Sequence, residues 1–183
     1  MNLALTSDFP STANQVVVDR MRSTGRCPRV AWIPPFTAMG RARFPAAQKL
    51  FESYGFSDVE YCDIDEEPNE GQLTCLDEYD VVYLTGGDPI GFRRNILRAG
   101  LSSRLQQCLV VGRLIVGASG GSMQLTRIVS LFRLLTHVAR RGLRESWRVR
   151  GTRCCWLRVA AAPEQIRAAV SGDSSLLFRT SGS

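Results

Sequence analysis

The sequence predicts an α/β fold built on a mostly parallel sheet covered on both faces. Two observations carry that prediction. Several short runs are continuously apolar, among them Arg29–Ile33 (RVAWI), Asp80–Thr85 (DVVYLT) and Arg113–Gly117 (RLIVG). Segments with helical spacing lie between them. A strand that is apolar on both sides must be buried on both sides. Helical crossovers, which link parallel strands, supply that cover.

Taken in order, Leu3–Thr6 reads as a short first strand, and Ala13–Ser23 as a helix with Val16, Val17 and Met21 on one face. Arg29–Ile33 is a buried strand ended by Pro34-Pro35. Arg41–Tyr54 is a helix stopped by Gly55, and Asp58–Ile64 is a third strand. The run from Asp65 to Gly71 reads as an acidic surface loop. Asp80–Thr85 is an apolar strand that flows into Gly86-Gly87-Asp88-Pro89. One helix then extends through Leu97 and another spans Ser102–Val111. Arg113–Gly117 is the next buried strand. There is no internal repeat and no low-complexity segment.

A chain of 183 residues suits one domain with a sizeable core. No apolar run approaches the roughly 18 residues of a membrane span, and the first residues lack the basic start of a secretory signal. The expected compartment is therefore the cytoplasm. The six cysteines show no C-x-x-C spacing, so reduced thiols are expected rather than a disulfide framework, and no metal site or cofactor is expected. The net charge of +6 hides a division. Residues 1–126 hold 12 basic and 14 acidic side chains, a balance of −2, whereas residues 127–183 hold 11 arginines against 3 acidic residues, a balance of +8. A basic tail of that kind raises the idea of nucleic-acid binding. These arginines are spread rather than clustered, and no recognition motif accompanies them. No nucleic-acid or membrane partner is expected.

The segment Arg113–Gln124 (RLIVGASGGSMQ) carries an apolar strand into a turn of small residues and then into a helical stretch. A serine on such a strand-to-helix turn is held in a strained backbone conformation, and only small neighbours fit around it. Ala118, Gly120 and Gly121 provide the room. The helix that follows points N–H groups and its positive end at the site, which makes the Gly120 N–H a natural oxyanion donor. Thr85-Gly86-Gly87-Asp88-Pro89 also lies at the carboxyl end of a strand, where open α/β sheets place their ligands. Its glycine pair lets the backbone approach a bound carbonyl closely.

The two turns and their separation resemble the peptidase S51 family, which includes dipeptidase E and the cyanophycinases. The resembling motifs are TGGDP and, about thirty residues on, GASGG, with the helix GFRRNILRAGL between them. The likeness covers residues 1–135. It implies a three-layer, flavodoxin-like α/β sandwich similar to class I glutamine amidotransferases. It also implies a serine peptidase acting on small peptides, often with acidic residues, with Ser119 as nucleophile and Gly87 and Gly120 as oxyanion donors. Asp88 stands where many members carry Asn. The oligomeric state is left open, a homodimer among the options.

The pattern breaks downstream of the elbow. A serine hydroxyl needs a base to become nucleophilic, usually a histidine. The family places that histidine some 35–45 residues after the serine in an apolar-Pro-His setting. Here the sole histidine is His137, and no Asp or Glu lies between Ser119 and Glu145. The stretch Val138–Arg158 is rich in Arg, Trp and Cys without a steady period. The genetic code suggests a cause. Shifted by one nucleotide, synonymous codons for Val159–Gln165 can read LLPHLN, which restores a Pro-His at the expected distance. Residues 136–183 are therefore read as an out-of-frame, poorly packed tail, with the shift between Leu135 and Trp147. Two functions follow as alternatives. One is a serine peptidase of this type, weak or inactive as written. The other is a catalytically dead, binding-only relative.

Overall fold

Short apolar runs become strands when their backbone groups can pair side by side, and here they assemble into one sheet. The computed structural model describes residues 2–6, 15–65, 75–126, 166–171 and 175–180. Along these the elements are β1 (Asn2–Thr6), α1 (Gln15–Arg22), β2 (Arg29–Ile33), α2 (Thr37–Ser53), β3 (Asp58–Tyr61), a 3-10 turn (Cys75–Glu78), β4 (Val81–Leu84), α3 (Pro89–Arg98), α4 (Leu101–Val110), β5 (Leu114–Ala118), α5 (Gly120–Gln124), β6 (Ile166–Ser171) and β7 (Ser175–Thr180). The strand order is β3-β2-β4-β5-β1-β7-β6. The five strands from β3 to β1 run parallel, and β7 and β6 continue the sheet antiparallel.

Because side chains alternate along a strand, each strand feeds two cores. Ala31, Ile33, Val82, Leu84 and Ile115 face one side and pack with Phe92, Ile96, Leu101 and Leu105 of α3 and α4. Val30, Trp32, Val81, Tyr83, Leu114 and Val116 face the other and pack with Val17, Val18 and Met21 of α1 and Phe51 of α2. The result is the expected three-layer α/β sandwich. The largest fully buried side chains, Tyr79, Phe51, Phe56 and Phe92, are divided between the two layers. Burying a side chain of this size stabilises by about 1.5–3 kcal/mol. Cys62 and Cys108 are buried thiols and Cys27 is exposed.

Two boundaries and two elements differ most from the sequence reading. Helix α2 starts at Thr37, four residues before the expected Arg41. Its first turn has no cap from its own N-cap residue, Phe36. The Asp65 carboxylate, from the loop after β3, instead accepts the Thr37 N–H at 2.9 Å. A cap supplied across 28 residues leaves no local signature, so the spacing alone starts the helix too late. Strand β3 ends at Tyr61 rather than Ile64, and the 3-10 turn was not anticipated. In the tail, β6 and β7 form a hairpin whose second strand pairs with β1 from Asn2↔Arg179 to Thr6↔Ser175. Residues 127–165, which include His137 and the suspected frame change, lie outside the described residues.

Candidate active site

Three strand ends meet at one edge of the sheet. Pro34-Pro35 follows β2, Thr85-Gly86-Gly87 follows β4, and Ser119-Gly120-Gly121 follows β5. After β2 the chain passes to α2 on one face, and after β4 it passes to α3 on the other. The crevice between strands whose connections diverge in this way is where open α/β sheets bind ligands.

Ser119 sits between β5 and α5 with φ 49° and ψ −114°. Among the described residues it alone combines positive φ with a side chain. Such a conformation costs about 1–3 kcal/mol and persists only where the surroundings over-determine it. Those surroundings are specific. The Ser119 N–H donates to the Thr6 carbonyl of β1 at 2.8 Å. The Ser122 hydroxyl, one turn on, accepts the Thr6 N–H at 3.3 Å and lies within donating distance of two carbonyls, Thr6 at 2.8 Å and Gly117 at 2.5 Å. The side chain of Ser119 stays exposed while Gly120 and Gly121 are buried.

The small residues of the two turns are explained by contact. A Cβ on Gly121 would lie 2.1 Å from the Leu84 carbonyl oxygen, and one on Gly120 would lie 2.2 Å from the Gly87 carbonyl oxygen. Gly87 has φ +147°, a region close to glycine-only, and a Cβ there would lie 2.6 Å from Pro35. A Cβ on Gly86 would come within 3.3 Å of the Ser119 Cβ. The structure thus brings Ser119, Gly87 and Gly120 together. Asp88 is placed differently from a reacting group. Its two carboxylate oxygens accept the N–H groups of Ile90 and Gly91, each at 3.0 Å, and so cap α3.

Beside Ser119 opens a cleft of about 330 Å³ between α2 and the sheet. Trp32, Met39 and Tyr83 give it an apolar wall, and Arg43 stands at its exposed margin. Behind that wall, the Tyr61 hydroxyl donates to the Thr37 carbonyl. Burial, reinforced by the charge of Asp63, pushes the Tyr61 phenol up to about 12. Among the described residues no His, Cys, Asp and Glu cluster is suited to a metal ion, and no helix is long and apolar enough to cross a membrane.

Sequence reasoning missed three residues that build this site: Ser122, Arg93 and Gln124. Ser122 holds β1 as described above. Arg93 and Gln124 join α3 to α5, with Gln124 fully buried. The bonds that join the two helices span 30 residues or more, so no local pattern signals them.

Comparison with known proteins agrees with this geometry. No curated protein matches the chain. Among solved structures, the chain is similar to a 1.5 Å crystal structure of a candidate peptidase E protein from Listeria monocytogenes EGD-e. The identity is 26% and the TM-score 0.58, over 76% of this chain and 70% of that one. The profile of peptidase family S51 matches residues 4–140, which takes in every strand-end turn described here. The chain belongs to peptidase family S51.

Proposed function

We propose that this protein is a serine hydrolase of small peptides in which Ser119 is the nucleophile. In this reading the N–H groups of Gly87 and Gly120 receive the oxyanion that develops on the attacked carbonyl. The observation that carries it is the strained, exposed Ser119 facing a glycine turn at the crevice of the sheet. A side chain kept in so unfavourable a conformation argues for use rather than packing. Donors fixed in advance where charge develops are among the largest contributors to acyl-transfer catalysis. The apolar cleft with an arginine at its margin suits a short peptide that carries a negative charge.

A second reading, a binding-only relative, is favoured by one specific observation. The sole histidine of the sequence, His137, follows Ser119 by 18 positions, well short of the roughly 35–45 that the family resemblance implies. A triad without its base retains roughly 10³–10⁴-fold catalysis over water in well-studied enzymes, so the expected activity is weak rather than nil.

The test compares the chain with a version whose frame is restored across residues 135–147, on short peptides with acidic first residues. We expect slow hydrolysis by the former and faster hydrolysis by the latter, with Ser119→Ala removing the gain of the frame-restored form and leaving only a slow residual rate. Frame-restored activity that is undiminished by Ser119→Ala would overturn the nucleophile assignment. Peptide binding without turnover in both forms would favour the binding-only reading.

A further inference from the structure

The glycines at Gly87 and Gly120 remove steric hindrance between the two turns, but contact between glycines supplies no attachment. Helix α5 cannot supply it alone, since five residues are too few for a helix to hold its own shape. Pairing of β4 with β5 sets the two turns side by side, and the strained elbow needs a further hold beyond the last ladder pair, Leu84↔Gly117.

We infer that Arg93 and Gln124 form a bracket that positions the two oxyanion-donor turns against each other. Arg93 lies on α3, directly downstream of the Gly86-Gly87-Asp88-Pro89 turn. Its Nη2 donates to the carbonyls of Met123, Gln124 and Thr126 at 3.1, 2.8 and 3.1 Å. Met123 and Gln124 close α5 and Thr126 follows it, so the guanidinium sits at the C-terminal end of the helix, where a cation complements the dipole. The Arg93 Nε donates to Gln124 Oε1 at 3.1 Å, which fixes the orientation of that amide. The Gln124 Nε2 then reaches both turns. It donates to Gly120 O in the elbow at 2.7 Å and to Pro89 O in the other turn at 3.1 Å. Each polar atom of the buried Gln124 side chain therefore has a partner, and those partners belong to the elements whose spacing sets the Gly87–Gly120 distance. Both residues are positioning residues: they act on the reaction through the backbone of Gly87 and Gly120.

This inference rests on the serine-hydrolase reading, and the experiment separates the two. Gln124→Met keeps the volume and removes the donated bonds and the acceptor for Arg93, while Gln124→Glu keeps that acceptor and replaces the donors with an oxygen that repels the two carbonyls. The readouts are Ser119-dependent hydrolysis of p-nitrophenyl acetate by the full chain and the backbone amide resonances of Gly87 and Gly120. We expect kcat to fall about 10- to 100-fold with KM little changed, the scale of a misplacement of roughly 1 Å. The Gly87 and Gly120 resonances should shift together in both variants, while those of β2 and β3 stay in place. Arg93→Lys should fall between the variants and the parent, because one ammonium cannot serve three carbonyls and an amide at once. If both variants keep kcat and the two resonances, the bracket is wrong even though Ser119→Ala remains inactive. If hydrolysis survives Ser119→Ala, the serine reading fails, and the amide resonances alone then decide whether the bracket holds the turns. Should Gln124→Met fail to fold, Gln124→Glu and Arg93→Lys provide the same two readouts.

Discussion

At the scale of single residues, the site depends on atoms that are missing. Gly121 has no Cβ where the carbonyl oxygens of Leu84 and Thr85 would lie 2.1 and 2.6 Å away. Both obstacles are backbone in or beside a central strand, so neither can rotate aside. Gly121→Ala should destabilise the protein by at least about 2 kcal/mol, the upper part of the range for overpacking. Gly25→Ala is the control, because a Cβ there would meet only the Asp80 carboxylate at ordinary contact distance. Urea unfolding of the two variants checks this, and equal stabilities would show that the elbow can yield. Ser119 and its small neighbours were legible in the sequence because a tight turn needs contiguous small residues. Ser122, Gln124 and Arg93 look like ordinary helix positions and acquire meaning only through distant partners.

At the scale of elements, strands and helices were legible where the apolar pattern is local, and their ends were not. Helix α3 has its punctuation in sequence, Asp88 at the N-cap and Pro89 at the first helical position. Helix α2 borrows its cap from Asp65 and carries Pro45 in its interior, so neither its start nor its continuity follows from propensity. The role of Asp88 can be measured. Asp88→Ala should lower stability by about 1 kcal/mol through loss of the bonds to Ile90 and Gly91. Asp88→Asn keeps an acceptor and should recover most of that. A large loss of activity in Asp88→Asn at unchanged stability would instead give the carboxylate a direct part in the reaction.

At the scale of the whole molecule, the sheet runs beyond the region that the apolar pattern announced. The parallel strands were legible as continuous apolar runs. The β6–β7 hairpin was not, because the charge jump after residue 127 reads as a change of character rather than as strands. The pairing of β7 along Asn2–Thr6 covers what would otherwise be an open edge. Exposed edges invite pairing with other chains. A chain ending at Gln165 should therefore melt at a lower temperature and self-associate more readily than the full chain, as read by calorimetry and light scattering. An unchanged melting temperature and a monomeric truncated chain would show that the hairpin adds nothing to the sheet.

The hydrogen bonds to Thr6 bear on how far the serine motif is a unit. The bonds from Ser119 and Ser122 both end on one carbonyl of the first strand, 113 and 116 positions earlier in the chain. GASGG is thus half of a device whose other half is β1. A fragment or chimaera that carried the motif with β4, β5 and α3 but lacked the first strand would keep the signature and lose the restraint. Its serine would be free to relax to an ordinary turn. Matching five letters therefore finds the place of the elbow, and the presence of a strand beside it decides whether the elbow is under tension.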